Sequence, residues 1–107
     1  MINVPILSFL SESRFSNNSI RISLFNARSI GPSVKRYEIN NYILDHRIDV
    51  FFIVETWLKG VGDEANIADL TPSGYATRSF PWANRGGGLA IIVSCAAEYG
   101  FQILLHF

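Results

Sequence analysis

The clearest hydrophobic pattern in the N-terminal half of the chain is an alternation over residues 20–26. A period of two predicts a β-strand, because successive side chains of a strand point to opposite faces. Asn26 continues the apolar face of this strand with a polar amide at its end. The face predicted to be apolar carries Ile20, Ile22 and Leu24, and the other face carries Arg21, Ser23 and Phe25.

A second strand is predicted over Asp49 to Glu55, and its central residues, Val50 to Val54, are all apolar. A strand that is apolar on both sides of its pleat is typical of a covered sheet in an α/β protein. Between the two strands, helical spacing predicts a helix with Ser33 as its N-cap and its end near His46. This strand, helix, strand order favours a right-handed crossover between parallel neighbours.

The rest of the pattern predicts a flexible leader over residues 1–19 and a single domain over 20–107. Within residues 20–107, weaker signals come from apolar segments bounded by glycines and from one segment with weak helical spacing. They predict a helical turn at 64–70, strands at 74–80 and 101–105, and a glycine turn from Gly86 that runs into a buried strand ending at Val93.

The composition shows no electrostatic bias, since nine Lys and Arg residues balance nine Asp and Glu residues. Overall charge therefore does not mark the chain as a nucleic-acid binder. Of the 107 residues, 49% are hydrophobic and 17% are charged. Because small domains bury a smaller share of their surface, we expect some apolar surface to remain for a partner or a second copy.

The chain has one cysteine, Cys95, so no internal disulfide can form, which fits a reducing compartment. Its N-terminus lacks the basic region of a signal peptide, and no apolar run has the length of a membrane span. These features favour an intracellular location, nuclear or cytoplasmic, without a membrane partner.

Glu55 is the first candidate for chemistry, because it ends a fully apolar strand. Burial of a carboxylate is costly unless something pairs with it, and Mg²⁺ accepts carboxylate oxygens. Ligands of α/β sheets also bind beyond the carboxyl ends of strands. The alternative is a strand-end glutamate that reaches solvent or caps Thr56.

Asn26 is the second candidate. If the two predicted strands are parallel neighbours, their carboxyl ends meet, and Asn26 then faces Glu55 across a few ångströms. An amide in that place could hold a phosphate oxygen, a metal-bound water or Glu55 itself. The alternative is a turn residue, since asparagine favours turns.

Three glycines, Gly86 to Gly88, follow Arg85. They lack the Lys-Ser/Thr of a P-loop and the spacing of a dinucleotide-binding loop, so a tight connection is the simpler interpretation. Trp57 and Trp82 could stack on nucleobases, although packing in a core is the commoner role of tryptophan.

Together, four short blocks resemble the endonuclease/exonuclease/phosphatase superfamily, in the form found at the N-terminus of non-LTR retrotransposon polyproteins. The resemblance spans about Ile20 to Ser94, which corresponds to the first half of the family's domain. The blocks are Asn26-Ala27-Arg28-Ser29, Glu55-Thr56-Trp57-Leu58, Pro72-Ser73-Gly74-Tyr75 and Arg85-Gly86-Gly87-Gly88.

The resemblance implies a DNase I-like, four-layered α/β sandwich, of which this chain supplies the N-terminal half: a mixed sheet with a βαβ start. The implied activity is Mg²⁺-dependent phosphodiester hydrolysis, and the retrotransposon members nick DNA. Glu55 corresponds to the metal ligand, and Asn26 to the residue that helps to organise metal and phosphate. We expect no small-molecule cofactor. Candidates for contact with nucleic acid are Arg28, Arg78 and Arg85.

The family's remaining catalytic residues have no counterpart here, namely an aspartate, an asparagine and a final Ser-Asp-His block. General acid–base catalysis alone contributes about 10²–10⁴-fold in rate, so we expect the isolated chain to be inactive. Two alternatives stay open. One is a truncated relic or interaction module that self-associates through an uncovered sheet face, and the other is a phosphatase of the same superfamily.

Overall fold

The computed structural model describes residues 11–14, 20–82 and 86–96 of the chain. This part forms a mixed α/β unit with two helices and a five-stranded sheet. In chain order, the elements are β1 (Ser11–Arg14), β2 (Arg21–Asn26), α1 (Ser33–Asp45), β3 (Val50–Val54), α2 (Glu64–Leu70), β4 (Tyr75–Phe80) and β5 (Leu89–Ser94).

The sheet has the order β1-β2-β3-β5-β4. β2 and β3 are parallel neighbours connected through α1, and the register places Asn26 opposite Val54. β5 then runs antiparallel to β3, and β4 pairs antiparallel with β5 at the edge. The predicted mixed sheet with a βαβ start is therefore confirmed.

The main core lies between the sheet and the two helices. Phe25 of β2 is 3% exposed, whereas Leu24, on the opposite face, is 44% exposed. The more deeply buried face of β2 is thus the one that carries Ser23 and Phe25, whereas Ile20 and Ile22 of the predicted apolar face pack against a second cluster. The core combines Phe25, Phe51, Ile53, Ala90 and Ile92 of the sheet with Ile39, Ile43 and Leu70 of the helices.

The opposite face of the sheet carries a second, smaller cluster. Val50, Ile91 and Val93 are buried there, with Ile22 and Phe52 packed against them. The prediction that β3 is apolar on both sides is therefore confirmed. Toward the margins of this face, by the strand register, lie the exposed Leu24 and Phe80.

Two boundaries differ from the sequence predictions. The N-cap of α1 is Pro32, whose carbonyl accepts a 3.1 Å hydrogen bond from the Lys35 amide, and Ser33 is the first helical residue. Residues 11–14, predicted to belong to a flexible leader, form β1 and pair antiparallel with β2. The rest of that leader and the predicted strand at 101–105 lie outside the described residues. Neither described helix is long and apolar enough to cross a membrane.

A hydrogen bond of Tyr75 fastens β4 to the loop before β3, because the Tyr75 hydroxyl donates to the Ile48 carbonyl at 2.6 Å. Burial, and secondarily the negative charge of Asp49, raises the pKa of Tyr75 above its ordinary value of 10.0. The folded state therefore retains the phenol proton more strongly than the unfolded state. The resulting stabilisation is complete below pH 10 and is lost as the pH rises through the raised pKa.

We expect Tyr75→Phe to lower the free energy of unfolding by about 1–3 kcal/mol at neutral pH, because the Ile48 carbonyl loses its partner. The difference from the parent chain should shrink above the ordinary tyrosine pKa. Urea unfolding across this pH range measures both effects, with Tyr37→Phe as the control at an exposed tyrosine. A difference that stays constant with pH would contradict the assignment.

Candidate functional site

The loops after β2 and β3 continue side by side beyond the ends of the strands. The Ser29 amide donates to the Glu55 carbonyl at 2.7 Å, and the Ile30 amide donates to the Thr56 carbonyl at 3.1 Å. The carboxyl ends of the two parallel strands therefore form one continuous rim.

The glycine turn before β5 holds the same segment from the other side. The Trp57 amide donates to the Gly87 carbonyl at 2.8 Å, and the Thr56 amide approaches the Gly88 carbonyl at 3.5 Å. Residues 55–57 thus lie between two segments that both bond to their backbone, which restricts where the Glu55 side chain can point.

The backbone of this rim is strained. Glu55 and Trp57 have φ of 58° and 60°, and Arg28 and Ser29 in the facing loop have φ of 51° and 91°. Each such conformation costs a non-glycine residue about 1–3 kcal/mol and persists only where its surroundings enforce it. The hydrogen bonds on both sides supply that enforcement here. Strain of this kind is common at active sites.

The Glu55 side chain is half-buried and points toward Trp57, whose Nε1 donates to Glu55 Oε1 at 3.1 Å. Glu55 also lines a pocket of about 700 Å³, together with Phe80 and Trp82. Asn26 is exposed at the end of β2, opposite the residue that precedes Glu55. The structure therefore places the two predicted site residues at adjacent strand ends.

No cage for a metal ion is formed within the described ranges, since no three His, Cys, Asp or Glu side chains come together there. The donors at the rim are the Glu55 carboxylate and the Asn26 amide. Mg²⁺ commonly binds one or two carboxylates together with phosphate oxygens and water. This donor set fits a Mg²⁺ ion shared with a phosphate group, and it does not fit a closed structural site.

Two basic residues near the rim have a structural role that the sequence did not indicate. The Lys35 ammonium donates to the Ala27 carbonyl, and Arg36 Nη1 donates to the Ile30 carbonyl at 3.0 Å. Arg36 Nε also pairs with Asp69 of α2 at 2.9 Å. These two side chains of α1 thus stabilise the loop that follows Asn26 through hydrogen bonds to its carbonyls.

The structure does not bring Arg28 and Arg78, two of the candidate nucleic-acid-binding arginines, together. Arg28 is exposed in the strained loop after β2, whereas Arg78 lies in the middle of the edge strand β4. The strands β2 and β4 are three positions apart in the sheet, or about 14 Å at the usual strand spacing. Arg85 lies outside the described residues. Contact of these residues with nucleic acid stays a prediction.

Asp63 shapes a second pocket beside the rim and was not singled out from the sequence. It is nearly buried, and its carboxylate accepts hydrogen bonds from the amides of Lys59 at 3.1 Å and Gly60 at 2.6 Å. An aspartate directly before a helical turn was the available signal. The loop that it closes lines a pocket of about 720 Å³, with Trp57 and Trp82 on its wall.

Comparison with known proteins identifies a fold and no closer relationship. No protein-family model and no curated protein matches the sequence. Among solved structures, the crystal structure of an AP endonuclease from Leishmania major is similar, with a TM-score of 0.64 and 17% sequence identity. The similarity covers 91% of this chain and 33% of that protein. The chain therefore has part of a DNase I-like α/β fold and spans about a third of the length of the endonuclease that it resembles.

Proposed function

We propose that the chain is part of a Mg²⁺-dependent phosphodiesterase, and that the larger protein nicks DNA in the manner of a retrotransposon endonuclease. One observation carries the proposal: a carboxylate, Glu55, lies at the end of a central strand in a strained backbone conformation that two neighbouring segments enforce. The likeness to an AP endonuclease, which concerns the fold, agrees with this chemistry.

In the proposed site, Glu55 supplies the carboxylate that binds the ion, and Asn26 supplies an amide to the ion or to the phosphate. The Trp57 indole donates to one Glu55 oxygen and so fixes the orientation of the carboxylate, which leaves the second oxygen for the ion. When bound, Mg²⁺ would polarise a phosphate and stabilise the charge that develops on its leaving oxygen.

Paramagnetic Mn²⁺ tests the metal site without requiring catalysis. We expect Mn²⁺ to broaden the backbone amide NMR signals of residues 54–57 and of Asn26. Glu55→Gln should abolish this broadening, because an amide loses the charge that attracts the ion. Glu64→Gln is the matched control, since Glu64 is an exposed glutamate in the first turn of α2. Equal broadening in Glu55→Gln and the parent chain would contradict the proposal.

Plasmid nicking in Mg²⁺ tests whether these residues suffice for activity. We expect no nicking by the isolated chain, because no residue here corresponds to the general base of the family that it resembles. Nicking that both EDTA and Glu55→Ala abolish would support the metal site and show that the expected inactivity is wrong.

A second candidate function is that of an interaction module. On the sheet face away from the helices, Leu24 and Phe80 are each at least 40% exposed. Apolar side chains in such positions favour a partner or self-association. Concentration-dependent sedimentation that is weakened by Leu24→Ser would support this candidate, and a monomer at all concentrations would count against self-association.

A further inference from the structure

The two tryptophans of the chain lie together beside the candidate metal site, and neither is buried. Trp57 is 48% exposed and Trp82 is 58% exposed. Both side chains line the pocket of about 720 Å³. The common role of tryptophan, packing in a core, is therefore not the role of these two residues.

Each ring nevertheless has a neighbour that restricts it, the Gly87 backbone for Trp82 and the Glu55 carboxylate for Trp57. A β-carbon on Gly87 would lie 2.9 Å from Trp82 Cγ, so the Trp82 ring rests directly against the Gly87 backbone. A β-carbon on Gly86 would lie 3.6 Å from Trp57 Nε1, the atom that also donates to Glu55. An exposed aromatic ring held in this way loses little conformational entropy when a ligand stacks on it.

The pocket lined by the two tryptophans adjoins the pocket of Glu55, because Trp82 and Gly86 line both. A planar ligand group on the rings would therefore lie next to whatever group binds at Glu55. Polar residues also line the 720 Å³ pocket, among them Lys59 and Ser29. Planar apolar faces beside a cationic side chain suit a nucleobase attached to a phosphodiester backbone.

From this arrangement we infer that Trp82, with Trp57 at its side, forms a stacking site for an unpaired nucleobase next to the phosphate bound at Glu55. The stacking is inferred from the exposure of the two rings and their place in one pocket. Only the placement of the neighbouring phosphate at Glu55 rests on the proposed function. The ligand class is single-stranded or locally unpaired nucleic acid, because a base within a duplex has its faces covered by its neighbours.

Intrinsic fluorescence tests this inference directly, since Trp57 and Trp82 are the only tryptophans in the sequence. A short oligothymidylate should quench the emission of the full chain. An abasic oligonucleotide of equal length has the same phosphate charge and no base, and it should leave the emission nearly unchanged. Equal quenching by both oligonucleotides, or by neither, would overturn the stacking site.

Variants distinguish stacking from charge and from loss of the fold. Trp82→Leu should weaken oligothymidylate binding about 5- to 150-fold, the range for loss of one stacked base. Trp82→Phe should retain most of the affinity, because it retains an aromatic ring. Tyr37→Ala removes an exposed aromatic ring on α1 and should change nothing. An affinity of Trp82→Leu equal to that of the parent chain would overturn the inference.

The two proposals fail in different ways. Quenching by oligothymidylate without Mn²⁺ broadening around Glu55 would support the stacking site and refute the metal site. Broadening around Glu55 without base-dependent quenching would overturn the stacking site and leave the metal site standing.

Discussion

Truncation of Phe25 to alanine is expected to lower the free energy of unfolding by about 3–5 kcal/mol. Phe25 is almost fully buried in the core between the sheet and α1 and α2. The loss combines the transfer of the ring back to water with the cavity that close-packed neighbours leave unfilled. Urea unfolding followed by far-UV circular dichroism measures it.

Leu24→Ala is the matched control, because the residue is adjacent in the same strand and points to the other face. With 44% of Leu24 exposed, we expect a loss below about 1 kcal/mol. A larger loss at Leu24 than at Phe25 would show that the main core lies on the face that carries Leu24. The pair of variants therefore decides between the two faces of β2.

The alternation in residues 20–26 correctly predicted a strand, but it did not indicate that the face with Ser23 and Phe25 is the more deeply buried one. The misleading residues are Arg21 and Ser23, which made the Phe25 face look polar. In the structure, the Arg21 guanidinium donates to the carbonyl of His46, 25 positions away, at 2.6 Å. Ser23 is small enough to be fully buried beneath the helices. The first outcome depends on a tertiary hydrogen bond and the second on tertiary packing, and a local pattern contains neither.

The site shows the same division between local and tertiary information. The strand order alone predicted that Asn26 and Glu55 lie at neighbouring strand ends, because parallel strands joined by a helix place their carboxyl ends together. The strained backbone of Glu55 could not be predicted, since it depends on two segments distant in sequence that meet around it. Nor could the sequence decide whether Trp82 packs in the core or remains exposed, because the contact with Gly87 forms only in the fold.

Gly88→Ala is the second substitution with a large expected effect, a loss of about 2–5 kcal/mol in the free energy of unfolding. Gly88 has a φ of +94°, where a residue with a β-carbon costs about 1–2 kcal/mol. Its new β-carbon would also lie 2.5 Å from Thr56 Oγ1, and Thr56 is only 1% exposed. Overpacking of a buried site adds about 1–3 kcal/mol.

Gly74→Ala separates the two contributions. Gly74 has a similar φ, +85°, but a β-carbon there would meet no atom within 4 Å. This variant should therefore show only the backbone cost, about 1–2 kcal/mol. If Gly74→Ala and Gly88→Ala were equally destabilising, the contact with Thr56 would contribute nothing.

Removal of the obstructing hydroxyl should partly rescue Gly88→Ala. In a double-mutant cycle with Thr56→Ala, we expect a favourable coupling of about 0.5–3 kcal/mol, because the two side chains would occupy the same space. The backbone strain at position 88 remains in the double variant, so the rescue should be incomplete. The cycle also bears on the site, because the glycine turn contacts the backbone of residues 55–57 through the Gly87 and Gly88 carbonyls. Mn²⁺ broadening around Glu55 should weaken in Gly88→Ala and recover in the double variant, and unchanged broadening in Gly88→Ala would show that the glycine turn does not position the carboxylate.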